Sequence, residues 1–344
     1  MRTPAKPFLF LWSTSLLAAP AAGCGQEPLP RTEDVRAALA VLAADSLEGR
    51  RTGSPGAAAA AAYIAGRLEA FGVEPAGDDG YFQRVPLVRV QRGRRVGARL
   101  LFSLEELENV PADERVDDVN VVGRIPGSDP VLREEAVVIG AHFDHLGVGQ
   151  PVDGDSIYNG ADDDASGVVA VLEIARALAA GPAPRRTVVF VLFTAEEVGL
   201  QGTRWYLDHP VVPLEHTVAD LQIEMIGRPD DLVGGAGRAW LTGYERSTMG
   251  DMLRDAGIAI VADPRPDQNF FRRSDNYPFA LRGIPAHTLS SFNGHSDYHR
   301  PSDEVSQVDL THMTAVIGAA VEAARLLANG PRPQWHPGGR PEPR

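Results

Sequence analysis

The sequence has a single cysteine, Cys24, and a single lysine, Lys6, among its 344 residues. One cysteine excludes an intramolecular disulfide, so the folded domain must be held by its apolar core and by any metal that it binds. All the other basic residues are arginine, which we interpret as a coding bias because alanine, glycine and proline are also abundant. Hydrophobic residues make up 44% of the chain, which is enough for a sizeable core.

The chain has no excess of positive charge. Its 33 lysine and arginine residues face 46 aspartate and glutamate residues, for a formal net charge of −13. Because nucleic acids carry a negatively charged backbone, this composition argues against a nucleic-acid partner. The same charge is compatible with a site that attracts cations.

Near its N-terminus the chain lacks a hydrophobic run long enough to span a bilayer. The apolar stretch from Phe8 to Ala19 is too short, and it is followed by small residues and then by Cys24. This pattern resembles a bacterial lipoprotein signal, with an ordinary signal peptide and an incidental cysteine as the alternative. We therefore predict a signal peptide over residues 1–23 and a tether over 24–31. The mature protein is expected to be exported and attached to the cell envelope only through a lipid on Cys24, or otherwise secreted.

Strand-like and helix-like segments alternate along the chain from residue 119 onward. This alternation predicts an α/β fold with a mixed, largely parallel central sheet and helices on both faces. We predict a single domain over residues 32–328, with its core motifs between 119 and 310. Residues 329–344 are rich in proline, glycine and arginine, and we predict that they form a disordered tail.

Polar clusters follow the predicted strands or lie in the loops between them. The carboxyl ends of parallel strands meet at one edge of a sheet, where α/β folds place their sites. One such cluster alone is more often a surface turn or a helix cap, but five in this order predict a single site. The clusters are His142-Phe143-Asp144, Asp162-Asp163-Asp164, Glu196-Glu197, Glu224 and Tyr298-His299.

The adjacent acids Glu196 and Glu197 end a buried apolar run, where two like charges side by side cost energy. A nearby cation, or different work for the two carboxylates, removes this conflict. Two histidines and three carboxylates suit zinc, which binds neutral imidazole and carboxylate oxygen. If one carboxylate bridges two metals, the remaining glutamate of the pair is free to act as a base.

The ordered motifs carry a family resemblance that covers roughly residues 119 to 310. The segments AHFDHLG, GADDDASG, FTAEEVGL, LQIEMIG and YHRPSDE together resemble the dizinc exopeptidases of the bacterial leucyl aminopeptidase and glutamate carboxypeptidase II family. The resemblance implies a zinc-dependent metallopeptidase with two Zn²⁺ ions. It favours an aminopeptidase that hydrolyses peptide substrates with a metal-activated water and a glutamate base.

The resemblance also implies a set of metal ligands. In this set Asp163 bridges the two ions, and Glu224 stands where many relatives have aspartate. The peptide bond after the bridging residue is expected to be cis, and the neighbouring aspartates are expected to cap or support it. The implied ligands are His142, Asp163, Glu197, Glu224 and His299.

Three further residues receive catalytic roles from the same resemblance. Glu196 matches the general base. Asp144 matches the carboxylate that orients His142 through its second ring nitrogen. Tyr298 lies where some relatives use a tyrosine to help polarise the substrate carbonyl.

Alternatives remain at the level of residues and of function. His145 could in principle ligate a metal, and His295 could line the site. The segment Arg273-Ser274-Asp275 resembles one that borders the substrate pocket, with a helix cap at Ser274 as the alternative reading. A carboxypeptidase would need a cation for the substrate carboxylate, which Arg265, Arg272 or Arg273 could supply. A glutaminyl cyclase would use one zinc, and a non-catalytic binding lipoprotein would be expected to lack a ligand or the base.

Overall fold

The computed structural model describes residues 1, 29–92 and 95–342. Cys24, nearly all of the predicted signal peptide and residues 25–28 of the tether lie outside the described residues. The lipid on Cys24 and the export of the protein therefore stay predictions.

Most strands of the described chain belong to one large sheet. The strands are Glu74–Pro75 (β1), Phe82–Arg92 (β2), Arg95–Leu100 (β3), Arg115–Ile125 (β4), Ala136–His142 (β5), Gly147–Val152 (β6), Asp155–Tyr158 (β7), Thr187–Phe193 (β8), Thr217–Ile223 (β9), Ala239–Leu241 (β10), Ile260–Ala262 (β11) and Ala286–Ser290 (β12). The sheet order is β11-β10-β12-β9-β5-β8-β4-β2-β3, with β1 beside β4, while β6 and β7 form a separate hairpin.

The centre and the flanks of the sheet differ in strand direction. Neighbours among β12, β9, β5 and β8 are parallel. The flank formed by β4, β2 and β3 is antiparallel, and β10 is antiparallel to β12. The predicted mixed sheet with a parallel centre is confirmed.

Helices cover both faces of this sheet. They are Thr32–Leu42 (α1), Pro55–Ala70 (α2), Leu104–Glu108 (α3), Gly167–Ala180 (α4), Gln201–Asp208 (α5), Thr248–Asp255 (α6), Asn276–Leu281 (α7) and Leu310–Asn329 (α8). Successive side chains of a strand point to opposite faces. In β5, Ile139 packs into the core that contains α1, α2, α4 and α8, whereas Val138 packs on the opposite side with α5 and α7. The prediction of two covered faces is therefore confirmed.

Helix α8 is long and apolar enough, by length and composition, to cross a membrane. Its side chains nevertheless belong to the core, since Ile317, Ala320 and Leu327 are fully buried among residues of α1, α4 and β5. We therefore interpret α8 as a core helix.

The prediction of a disordered tail is wrong for residues 329–342. The tail packs back on the domain: Trp335 pairs with Ser247 in a β-bridge, and its indole donates to the carbonyl oxygen of Gly283 at 2.9 Å. Arg246 donates to the carbonyl oxygen of Gly339 at 3.1 Å. Composition failed here because a single tryptophan and a few backbone hydrogen bonds were enough to order a segment rich in proline and glycine.

Candidate metal centre

The carboxyl ends of the central parallel strands supply most of the site. β5 ends at His142, β8 ends just before Glu196 and Glu197, and β9 ends just before Glu224. A loop at the start of α4 adds Asp163, and the loop after β12 adds His299. All the predicted metal ligands therefore meet at one edge of the sheet.

Two ligand groups share Asp163. In the first, ligand atoms of His142, Asp163 and Glu224 all lie within 4.8 Å of one another, and His142 Nε2 is 3.3 Å from Asp163 Oδ1. In the second, His299 Nε2 lies 3.1 Å from Asp163 Oδ2 and 3.3 Å from Glu197 Oε1. One aspartate oxygen faces each group, which is the geometry of a bridging carboxylate.

These residues fit a pair of divalent metal ions. His142 Nε2 and Glu197 Oε1 are buried without a hydrogen-bond partner in the described structure. Buried polar atoms in proteins are normally paired, so such atoms call for a missing partner. Imidazole nitrogen and carboxylate oxygen are ligands that zinc prefers.

The electrostatics of the site indicate the same need for a cation. Burial raises the pKa of the Glu224 carboxyl to about 7. Burial also opposes ionisation of Asp163, but the adjacent rings of His145 and His142 hold its pKa well below the usual range. Carboxylates confined together in a dry site repel one another. A dication would relieve the cost of keeping them all ionised.

Asp144 acts differently from the prediction. His142 Nδ1 is hydrogen-bonded to the main-chain carbonyl oxygen of Asp144 at 3.0 Å, whereas the Asp144 carboxylate is 3.8 Å away. That carboxylate accepts from Thr52 Oγ1 at 2.9 Å and from the backbone N–H of Glu196 at 3.0 Å. The side chain therefore positions the Glu196 main chain, and the backbone orients the His142 ring.

Glu196 and Glu197 have separate places in the site. Glu197 belongs to the second ligand group, whereas Glu196 belongs to neither. Ala195, just before them, has a positive φ of 58°, which turns the chain sharply at the end of β8. Burial, together with the neighbouring Glu197 charge, raises the pKa of the Glu196 carboxyl well above its usual value. A carboxylate that gains a proton readily is suited to act as a base.

The loop that carries Asp163 is held by its neighbours. Its peptide bond to Asp164 is cis, as the resemblance implied. The Asp303 carboxylate accepts from the backbone N–H groups of Asp162 and Asp163 at 3.0–3.1 Å. Asp162 accepts from the N–H of Gly227 at 2.6 Å, and Asp164 accepts from two further N–H groups. The flanking acids thus support the loop, in agreement with the prediction.

Arg50 is a site residue that the sequence reasoning missed. It is 0% exposed, and its guanidinium donates to the carbonyl oxygens of Phe143, Asn159 and Gly160 at 2.7–3.0 Å. These carbonyls lie in the loops on either side of the ligand groups, so Arg50 joins the two loops. Burial lowers the pKa of Arg50 to about 10, against the attraction of Asp163 and other acids. A lone arginine in a glycine-rich loop carried no motif that could have revealed this role.

The two rival histidines have different positions. His295 Nε2 is 3.0 Å from Asp162 Oδ2 and is in neither ligand group, so it supports the Asp163 loop from outside. His145 lies in the second group, with Nδ1 2.8 Å from Glu197 Oε1. From the sequence, His145 was a possible ligand, but the ligand positions were assigned to His142 and His299.

A cavity of about 40 Å³ adjoins the ligand groups beside Glu224. Its wall combines aromatic rings with polar side chains. Tyr298 borders it while stacking on His299 with ring centroids 3.9 Å apart. Arg273 also lines the cavity, which agrees with the prediction that its segment borders a pocket. The aromatic lining consists of Trp240, Phe270, Phe292 and Tyr298.

Residues 120–324, more than half of the chain, match peptidase family M28. The chain belongs to peptidase family M28. The match spans all five motif clusters, so the family resemblance is confirmed at this level. The finer placement of this M28 chain among bacterial leucyl aminopeptidases and glutamate carboxypeptidase II is part of the proposal below.

Several curated relatives of this M28 chain are fungal. A probable leucine aminopeptidase 2 from Aspergillus oryzae is 28% identical over 221 residues, which cover 61% of this chain and 41% of that protein. A vacuolar membrane protease from Sclerotinia sclerotiorum is 26% identical over 255 residues, covering 69% of this chain and 21% of that protein. The M28 chain thus spans less than half the length of these relatives.

Solved structures share the fold over nearly their whole length. A zinc aminopeptidase from Bacillus subtilis has a TM-score of 0.62 and 15% identity, with 89% of this chain and 97% of that chain covered. A Zn-dependent exopeptidase from Parabacteroides distasonis has a TM-score of 0.60 and 19% identity, with 87% and 99% covered. At these identities the likeness shows the fold alone.

Proposed function

We propose that this protein is a zinc-dependent aminopeptidase that removes N-terminal residues from peptides. The observation that carries the proposal is the pair of ligand groups that share Asp163, with Glu196 beside them but outside both. Membership of peptidase family M28 supports peptide hydrolysis. The names of the leucine aminopeptidase relatives and of the zinc aminopeptidase with the same fold support the finer assignment.

The proposed metal site holds two zinc ions. His142, Asp163 and Glu224 would hold the first, and Asp163, Glu197 and His299 the second. When bound, zinc lowers the pKa of a water molecule towards neutrality and polarises a substrate carbonyl. Glu224 retains the carboxylate that many relatives supply as aspartate, so this position fits the ligand role.

Glu196 moves the proton in this mechanism. Its carboxylate takes a proton from the attacking water and delivers it to the departing amine. Asp144 holds the Glu196 backbone N–H at 3.0 Å, which limits the directions in which the side chain can point. The unequal roles of the adjacent acids also remove the conflict between their charges.

In the proposed mechanism Tyr298 donates a hydrogen bond to the substrate carbonyl oxygen as negative charge develops on it. Burial, and the acids of the ligand groups, raise the pKa of the Tyr298 hydroxyl, so the hydroxyl keeps its proton. Its stacking on His299 holds the ring at the border of the cavity.

The aromatic cavity is the proposed pocket for the side chain of the N-terminal residue. It opens beside Glu224, and four aromatic rings contribute to a lining that also contains polar side chains. These rings favour an apolar side chain because burial of apolar surface drives binding. The substrate class that we propose is therefore peptides with a free amino terminus and an apolar first residue.

The test combines metal analysis with a panel of peptides. The purified protein should contain two zinc ions and should cleave peptides with a free amino terminus in preference to matched N-acetylated peptides. Cleavage confined to blocked peptides would contradict the aminopeptidase assignment. A protein that binds zinc and cleaves no peptide would contradict the proposed reaction as a whole.

One observation favours carboxypeptidase as the second candidate. Arg265 is held by Asp230, but Arg273 lines the cavity and makes no ion pair within the described part of the chain. Arg273 could therefore receive a substrate carboxylate. If Arg273→Ala abolishes cleavage and C-terminal amidation of the peptide has the same effect, the carboxypeptidase assignment is the better one.

A glutaminyl cyclase and a non-catalytic binding protein fit the site less well. Two ligand groups support two metals rather than one, so a stoichiometry of one zinc would favour the cyclase. The base and every predicted ligand are present, which supports catalysis.

The proposed location is the cell envelope, through a lipid on Cys24. Cys24→Ala should release the protein from the membrane fraction, and mass analysis of the mature N-terminus should show a lipid in the native chain. A mature protein that begins elsewhere and remains soluble would favour secretion instead.

A further inference from the structure

The second ligand group contains one more donor than the proposed function uses. His145 is 1% exposed, and both of its ring nitrogens lack a hydrogen-bond partner in the described structure. Its Nδ1 lies 2.8 Å from Glu197 Oε1, which is an ion pair when the ring is protonated, but a neutral ring has no hydrogen bond there. A buried imidazole without a partner on either nitrogen is costly, unless a ligand that the protein atoms do not supply completes its contacts.

Four donor distances in the second ligand group lie around the edge length of a tetrahedral zinc site. Ligand atoms about 2 Å from a tetrahedral zinc lie about 3.3 Å from one another. His145 Nδ1 is 2.8 Å from Glu197 and 3.8 Å from Asp163. His299 Nε2 is 3.3 Å and 3.1 Å from the same two residues. The centroids of the two imidazole rings are 5.6 Å apart and the ring planes are inclined by 73°, so both rings have room beside the same two carboxylates.

The backbone around His145 is built to hold the ring in this place. The His145 N–H donates to the carbonyl oxygen of Arg50 at 3.2 Å, and Arg50 itself ties the Asp163 loop. A Cβ added at Gly160 would lie 2.6 Å from His145 Cδ2, so the glycine leaves the room that the ring occupies. The ring is therefore confined between two segments that also position the ligand groups.

We propose that His145 is a fourth protein ligand of the second metal position, together with Asp163, Glu197 and His299. This inference rests on the proposed zinc-dependent function. It adds that the two metal positions differ in their number of protein ligands. Four protein ligands close a tetrahedral zinc site, whereas three leave a position for water or substrate. The second position is thus closed and binds zinc tightly, and the first, with His142, Asp163 and Glu224, stays open.

The test is a zinc titration of the chelator-stripped full chain against a competing chromophoric chelator. The native protein should show two sites of clearly unequal affinity. His145→Ala should weaken the tighter site by at least about 100-fold, since loss of even an outer-shell partner costs 10- to 100-fold. The matched control is His287→Ala, because His287 is also a fully buried imidazole but contacts Ser247 and the carbonyl oxygen of Thr242, and it belongs to neither ligand group.

The control should retain the native titration. An unchanged tight site in His145→Ala would overturn the inference while leaving the proposed function intact. A native protein that binds no zinc would overturn both.

A second measurement covers the case in which His145→Ala does not fold. X-ray absorption of the native protein loaded with two zinc ions reports the number of imidazoles bound. Three imidazoles shared by the two ions support His145 as a ligand, whereas two imidazoles overturn it. Circular dichroism of each variant establishes whether it is folded before the titrations are compared.

Discussion

Asp230 and Asp163 are both almost fully buried, at 1% and 2% exposure, but they have opposite kinds of partner. Arg265 donates to both carboxylate oxygens of Asp230, at 2.5 and 3.0 Å. The ion-pair partners of Asp163 are imidazoles, His142 and His299 among them. Arg50 attracts Asp163 from a distance, but its guanidinium donates to main-chain carbonyl oxygens instead.

This difference in partners explains why Asp230 has a structural role, whereas the surroundings of Asp163 suit a metal. A guanidinium is always charged and satisfies a carboxylate with its own N–H groups. The Asp230–Arg265 pair is thus complete without a ligand. An imidazole, in contrast, can give up its proton to become a neutral metal ligand, and it then leaves the charge of the surrounding carboxylates uncompensated. The Asp163 region therefore retains the negative charge and the free donor atoms that a dication requires.

The largest expected effect is on kcat, and it distinguishes the proposed base Glu196 from the proposed metal ligand Glu197. Glu196→Gln keeps the size of the side chain but cannot accept a proton, so kcat should fall by about 1,000-fold. The zinc content should remain that of the native protein. Glu197→Gln is the matched variant: it should lower zinc content as well as activity. Substantial turnover by Glu196→Gln would remove Glu196 from the mechanism.

Removal of the metal tests the charge argument directly. The native protein, at free zinc about 1,000-fold above the dissociation constant, should be more stable than the stripped protein by about 4 kcal/mol. The physical reason is that the ligand carboxylates repel one another without a dication. Thermal unfolding with and without chelator measures this difference, and readdition of zinc should restore it. Identical unfolding curves would show that the ligand groups are not a metal site.

Removing the cation that pairs with Asp230 should destabilise the fold without lowering the zinc content. Arg265→Met leaves Asp230 buried without its cation, at an expected cost of about 3 kcal/mol in unfolding free energy. Urea unfolding and zinc analysis check both parts. The control is Arg254→Met, because Arg254 pairs with Asp251 on the surface and exposed pairs contribute little. A loss of zinc in Arg265→Met would mean that the two regions are coupled.

A smaller effect concerns His287, a buried imidazole that is not near the ligand groups. Its Nδ1 lies 2.7 Å from the carbonyl oxygen of Thr242 and its Nε2 lies 2.6 Å from Ser247 Oγ, an arrangement that suits the neutral ring. Burial lowers the pKa of His287 to about 4, against about 6.5 in the unfolded chain. Between these values the unfolded state binds the extra proton.

Stability must therefore fall as the pH falls through this window. The contribution of His287 should be a loss of about 2 kcal/mol between pH 7 and pH 5. The measurement is urea unfolding at the two pH values for the native protein and for His287→Gln. The variant should lose less stability over this interval than the native protein. Equal losses would show that His287 does not carry this pH dependence.

Much of the fold could be predicted from the apolar pattern. The apolar run that ends at Glu196 and Glu197 is the buried strand Thr187–Phe193, and strands alternate with helices from residue 119 onward as expected. The run is continuous and apolar, so the sequence pattern identifies it as a buried segment. Residues 329–342 show the limit of this reasoning, because their order depends on contacts with α6 and its neighbours that composition does not contain.

The site divides in the same way. The sequence by itself determined which residues could bind metal, because zinc requires imidazole and carboxylate donors and the motifs supply them after predicted strands. Only the tertiary structure decided that His142 is oriented by a main-chain carbonyl, that Arg50 ties the ligand loops, and that His145 faces the second ligand group. The physical reason is that these roles depend on distances between segments far apart in the chain. Residue type and spacing indicate which atoms a side chain can bind, but tertiary packing determines which of those atoms lie within reach.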